Sequence, residues 1–278
     1  VKTAISARLK RDDTSSLDKI VKMGKSMSDE RTAVTESEVL IATPDGICDA
    51  HFVHPVGGSH AGVIVWPDGF GLRPAARKMG KRLALSGYSV LTVNKFYRAQ
   101  PAPVFPEGAS FNDVATRDKV VSLIAGLSPQ TNMTDAAAFV DWLDAQPVVD
   151  KRRKIGTTGY CMGGAMAIRT AAARPDRIGA CGSFHGGGIA TGKPDSPHLL
   201  IPETQASFLF AIAQNDDATD PNAKETLRTA CDSAGRPAEI EVYPAPHGWC
   251  AVDQPIYDQT QADKAAERLL ALFEVALA

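Results

Sequence analysis

The chain has 278 residues, with 30 Lys+Arg against 32 Asp+Glu for a formal net charge of -2. That balance removes the electrostatic basis for a nucleic-acid or anionic-membrane binder, which needs a clustered basic surface. A composition of 44% hydrophobic and 22% charged residues excludes global disorder, and no apolar run approaches the ~20 residues of a bilayer-spanning helix. The expectation is a soluble globular protein with one large domain.

Residues 1–36 are polar and charged and read as an N-terminal extension, in which Leu17, Ile20, Val21 and Met27 could line a short amphipathic helix. The domain proper is expected over 37–278. Val39 to Ala42 and Ile47 to Val53 flank a Pro44-Asp45-Gly46 turn, the pattern of a β-hairpin. Ala61 to Trp66 is a continuous apolar run, as in a strand buried on both faces of a parallel sheet. A helical period covers 73–86 and stops at Gly87, and Tyr88 to Val93 reads as the next buried strand. The Pro-rich stretch from Tyr97 to Asp113 is long enough to carry a lid or a substrate pocket. Helices are expected over 114–126, 131–145, 165–173, 222–234 and 260–277, and strands over 154–158, 178–184, 207–213 and 239–243. Such alternation specifies a mostly parallel sheet covered by helices on both faces.

Five cysteines occur, at 48, 161, 181, 231 and 250, none at C-x-x-C spacing. An odd number in a long chain argues for free thiols rather than a disulfide framework or a zinc knuckle. That usage fits a cytoplasmic protein. The chain begins at Val1, so an exported protein with a removed N-terminus stays open.

The sharpest local feature is Gly159-Tyr160-Cys161-Met162-Gly163-Gly164, between an expected strand and helix. This is the G-x-nucleophile-x-G elbow with cysteine at the apex. Glycines are needed because the turn brings strand and helix too close for side chains, and the apex residue is held strained above the sheet. The helix N-terminus also favours thiolate over thiol. A nucleophile here needs a base and an orienting acid, in the chain order nucleophile, Asp/Glu, His. Asp216 follows the strand 207–213 and His247 follows the strand 239–243, so both sit at strand exits, where parallel sheets bind their ligands. Asp216 is preferred as the acid because it is nearer the strand, with Asp217 as its competitor. His51, His54, His60 and His198 fit less well as the base. His185-Gly186-Gly187-Gly188 resembles a lipase oxyanion motif but comes after the nucleophile, so a structural role is expected for it. The oxyanion hole is placed instead at the N–H groups of Gly69, after the first buried strand, and Met162.

On the 159–164 elbow, Asp216, His247-Gly248 and the Phe70-Gly71 turn, residues 39–276 resemble the dienelactone hydrolase family of α/β-hydrolases. The resemblance implies an α/β-hydrolase fold and a Cys161–Asp216–His247 triad. It implies hydrolysis of small esters or lactones through a thioester, without metal or organic cofactor. In the family's founding type a glutamate before the Phe-Gly turn holds the resting thiol; Asp68 stands there in this chain. Arg98, next to Tyr97, matches the first substrate-carboxylate arginine, whereas Ala251 occupies the place of the second. Phe70 and Trp249 are expected to line an apolar pocket. The expected partner is a small-molecule ester or lactone, not nucleic acid or membrane. Two alternatives remain at this level: a redox-active elbow thiol, and a non-catalytic binding module on the same fold.

Overall fold

A computed structural model describes residues 33–278. The possible amphipathic helix near Leu17–Met27 lies outside the described residues. Eight strands form one sheet: β1 (Val34–Thr43), β2 (Gly46–Pro55), β3 (Gly62–Trp66), β4 (Ser89–Val93), β5 (Ile155–Tyr160), β6 (Ile178–Phe184), β7 (Ser207–Ala213) and β8 (Ala238–Tyr243). Their order across the sheet is β1-β2-β4-β3-β5-β6-β7-β8. The β1–β2 and β2–β4 pairs are antiparallel and every other pair is parallel.

Strand β3 shows why its sequence is apolar throughout. All five of its residues are buried, with Val63 and Val65 facing one hydrophobic layer and Ile64 and Trp66 the other. The first layer lies beneath α1 (Pro74–Leu85) and α7 (Gln259–Ala276), through Leu83, Leu269 and Phe273. The second lies beneath α3 (Pro129–Ala145), α4 (Gly163–Ala173) and α6 (Ala223–Ala234), through Phe139, Ile168 and Leu227. Alternate side chains of an extended strand point to opposite faces, so a sheet covered twice is mainly apolar on both, with small hydroxyl side chains such as Thr92, Thr157, Thr158 and Ser183 as its buried polar positions. Helix α2 (Val114–Ala125) packs more lightly, and Val120 is its one buried residue.

The departures from the sequence expectations have local causes. The hairpin is longer, with ten paired positions per strand from Val34↔Pro55 to Thr43↔Gly46. The outer half of β1 carries Glu36 and Glu38, which reach Lys81 and Arg77 on α1, so no apolar alternation marks it as strand. Helix α3 starts at Pro129, not 131, because Ser128 caps it and Pro129 occupies its first position. A six-residue helix, α5 (Gln214–Thr219), replaces an expected loop after β7. A 3-10 segment, Pro197–Glu203, follows the Gly-rich turn after β6.

One topological fact positions the site. From β3 the chain crosses to β4 on one side, whereas β5 lies on β3's other side. The loops leaving β3 and β5 therefore diverge and open a crevice at the carboxyl ends of these strands. The strands end within one residue of each other, Trp66 at the end of β3 pairing with Gly159, one residue before the end of β5.

Candidate active site

The elbow is tighter than the sequence spacing indicates. Gly159 and Tyr160 still pair with Ser183 and Phe184 of β6, and α4 begins at Gly163, leaving Cys161 and Met162 alone to turn the chain. Cys161 adopts φ +56°, one of two non-glycine residues among those described with positive φ. A side chain there is strained, and such conformations persist only where the surroundings enforce them. The enforcement is visible at the glycines. A Cβ on Gly159 would lie 1.8 Å from the Gly163 carbonyl oxygen, and one on Gly163 would lie 2.3 Å from that of Trp66. The Cys161 N–H donates to the Phe184 carbonyl at 3.0 Å and to His185 Nδ1 at 3.1 Å.

The other two groups arrive on neighbouring strand exits. The Gln214 N–H donates to the Ala245 carbonyl, and the His247 N–H donates to Asn215 Oδ1 at 2.7 Å. These bonds bind the turn after β8 to helix α5. His247 Nδ1 then lies 2.7 Å from Asp216 Oδ2. Burial disfavours a charged His247 ring, but the Asp216 carboxylate and the Cys161 sulfur outweigh it and push the imidazole up to about 10. Asp217 turns away and binds Lys224 through both oxygens. The structure thus brings Cys161, Asp216 and His247 together and leaves Asp217 outside.

His185 is the second imidazole of the region. It is buried, holds φ +40°, and lies edge-on to His247 and to Trp249, each with ring centroids 5.0 Å apart. Burial together with the nearby His247 holds it well below the ordinary histidine range, hence neutral. Because Nδ1 accepts the Cys161 N–H, the ring proton sits on Nε2. It props the elbow, and the sequence offered only its position after β6 as a sign.

Across the crevice, Gly69 follows β3. Among the described residues, neither the Gly69 nor the Met162 N–H donates to a protein acceptor. Gly163 abuts the carbonyls of Trp66 and Pro67, so the two turns carrying these N–H groups adjoin. Phe70 joins Phe96, Val104, Phe105 and Val120 in an apolar cluster against which Met162 packs. Val104 and Phe105 come from the long stretch after β4, which accordingly packs against the turn after β3 and against Met162 of the elbow.

Three expected substrate contacts are placed differently. Asp68 is bound by the Arg73 guanidinium through both carboxylate oxygens and accepts the Phe70 N–H at 3.0 Å, so its carboxylate is committed to its own turn. Arg98 is clamped between Asp45 of the β1–β2 turn and the buried Asp135 of α3, each accepting from it. Its charge is spent on two carboxylates. Trp249 is fully buried, stacked on Tyr243 at 5.2 Å, and is core rather than pocket lining. The sequence reading missed two further cations: Arg73, which also binds Asp253 through both oxygens, and Lys95. Among the described residues no cluster of three His, Cys, Asp or Glu side chains is placed to hold a metal ion, and no helix is long and apolar enough to cross a membrane.

A mostly parallel sheet of this order, with a strained elbow after its middle strand and an Asp–His pair on later strand exits, defines an α/β-hydrolase. Residues 48–277 match the dienelactone hydrolase family, and the chain belongs to it. A carboxymethylenebutenolidase of Rhodococcus opacus is 27% identical over 209 residues, 74% of this chain and 77% of that protein. One from a Pseudomonas species is 23% identical over 87% of this chain and 95% of its own. Among solved structures, a dienelactone hydrolase-like promiscuous phosphotriesterase from metagenomic libraries superposes with TM-score 0.72 at 23% identity, covering 88% of this chain and all of its own. The protein is a hydrolase of the dienelactone hydrolase type.

Proposed function

We propose that this hydrolase cleaves small, uncharged carboxylic esters or lactones through Cys161. The observation that carries the reading is the His247–Asp216 contact of 2.7 Å beside a cysteine held at φ +56°. With its imidazole raised to about 10, His247 is a proton donor at neutral pH beside the Cys161 sulfur. The sulfur attacks the carbonyl carbon, and the Gly69 and Met162 N–H groups receive the oxyanion, interactions worth roughly 3 kcal/mol apiece in other hydrolases. Collapse breaks the C–O bond as His247 gives its proton to the departing alkoxide, leaving a thioester. His247, now neutral, takes a proton from water, which attacks the thioester and releases the acid and the thiolate.

Substrate charge follows from the cations. Arg98 and Arg73 are both bound by carboxylates, and Ala251 offers none. The Phe70, Val104 and Phe105 cluster that packs against Met162 of the elbow is apolar, and surroundings of that kind suit an uncharged acyl group. A redox thiol would leave the Asp216–His247 pair without a task.

The test is a panel of matched small esters and lactones, with and without a carboxylate, assayed on the wild type and on Cys161→Ala. The expected result is at least a tenfold preference for the uncharged member, and a loss of about a thousandfold or more in kcat in folded Cys161→Ala. Full turnover by Cys161→Ala would remove the nucleophile, and a preference for anionic members would remove the substrate class.

A further inference from the structure

Lys95 lies two residues beyond β4 and is 1% exposed. Among the described residues it has no carboxylate partner. Its Nζ donates to the Pro67 carbonyl at 2.9 Å and, more closely, to the Asp68 carbonyl, with the Phe96 ring 4.5 Å away. Burying an ammonium on neutral partners is costly, and an apolar side chain would fill the space without that cost. Burial pushes Lys95 down to about 7, against the pull of Asp68 and Cys161, so the group also feels the nucleophile.

The Asp68 carbonyl and the Gly69 N–H belong to one peptide unit. In a trans peptide these two bonds point in opposite directions. Holding the carbonyl on the Lys95 amine therefore turns the N–H the other way, and that N–H has no acceptor among the described residues. The Gly71 N–H donates to the same carbonyl at 2.9 Å, closing the turn. Glycine on the C-terminal side makes this peptide unusually easy to flip, since a residue without Cβ tolerates either sign of φ. A flip would aim a carbonyl where an oxyanion must sit. A hydrogen-bond donor on the carbonyl opposes the flip and polarises the amide, most strongly when the amine is charged, strengthening its N–H as a donor.

We propose that Lys95 is a positioning residue for the oxyanion hole, holding the Asp68–Gly69 peptide by its carbonyl so that the Gly69 N–H faces the crevice. This rests on the reading of Cys161 as nucleophile. Arg73 fixes the side chain of Asp68; Lys95 fixes its backbone. The two cations beside this turn thus serve its shape.

The experiment compares Lys95→Met, which removes the donor, with Lys95→Gln, which keeps a neutral one. Turnover of p-nitrophenyl acetate, inhibition by a small alkyl trifluoromethyl ketone, alkylation by iodoacetamide and thermal unfolding are measured on both. The ketone binds as an oxyanion adduct, whereas alkylation needs the thiolate but no oxyanion hole. Alkylation reports Cys161 because the other four cysteines are buried. For Lys95→Met, kcat is expected to fall about a hundredfold with KM little changed. The ketone inhibition constant should rise by a similar factor, and the alkylation rate should stay at the wild-type level. Lys95→Gln should recover about a tenfold part of the loss. If Lys95→Met does not fold, Lys95→Gln carries the test, its ketone affinity falling while alkylation holds. Undiminished kcat and ketone affinity in a folded variant would overturn the proposal, as would alkylation falling in step with turnover, which would assign the ammonium to the thiolate. Cys161→Ala run alongside keeps the two readings apart: turnover without the sulfur sinks the functional reading, whatever Lys95 does.

Discussion

On the flank of the crevice built by β5 to β8, Cys161, His185, Asp216 and His247 are fixed by strand ends and by hydrogen bonds to one another. On the flank built after β3 and β4, Asp68, Arg73 and Arg98 are fixed by opposite charges that neutralise them, and Lys95 by backbone carbonyls. The first flank presents reactive groups to the crevice. The second uses its charges to set the shape of two turns and packs an apolar cluster against Met162 of the elbow. The same residue types thus serve chemistry on one side and architecture on the other. What separates them is what the contacts serve: the Asp216–His247 pair lies beside the Cys161 sulfur, whereas the contacts of Arg73, Arg98 and Lys95 close the turns they join.

The largest break in that comparison should come at the paired aspartates. Asp216→Asn keeps the shape but loses the charge that orients His247 and stabilises its protonated form, so kcat should fall by about 10³- to 10⁴-fold. Asp217→Asn, which disturbs a contact to Lys224, should stay within about twofold of wild type, surface ion pairs being weak. Steady-state kinetics on folded variants decides; equal losses would mean that the acid has been assigned to the wrong carboxylate.

Arg98→Ala tests the other flank. Asp135 is buried, with its side chain 4% exposed, and removing its partner leaves an uncompensated charge, at a cost of about 3 kcal/mol. The unfolding midpoint should drop by roughly 6–12 °C on the scaling for a domain of this size. The ratio of kcat/KM between charged and uncharged substrates should not move. A selective loss on anionic substrates would return Arg98 to the substrate site.

A smaller effect lies in the pH dependence of stability. His247 is raised above the free histidine value, so its contribution is fully present below about pH 6.5 and is lost as the pH rises through about 10. His185 is lowered, so its contribution holds above about pH 6.5 and is lost as acid charges the unfolded ring. The gap in unfolding temperature between wild type and Asp216→Asn should be widest near pH 6, a few degrees, and narrow toward pH 10. A gap that grows with pH would contradict the charge assigned to His247.

The strands were legible because a doubly covered sheet favours apolar and small residues, and 178–184 and 207–213 emerge with the boundaries read from the sequence. The elbow was legible because the steric demand of a close strand–helix approach is written directly in glycines. The outer half of β1 was hidden because it is an exposed edge rich in acidic residues. Trp249 misled because an aromatic beside a functional histidine has the same letter whether it faces substrate or core.

The residue order alone determined the sheet, the cysteine at its elbow, and an aspartate and a histidine at later strand exits, because burial and backbone sterics act locally and leave periodic marks. Tertiary structure alone decided which carboxylate meets His247, that Arg98 is spent on Asp45 and Asp135, and that Lys95 holds the turn before Gly69. Coulomb pairing and hydrogen bonding join residues tens of positions apart, and no spacing in the chain records which partner a charge will find.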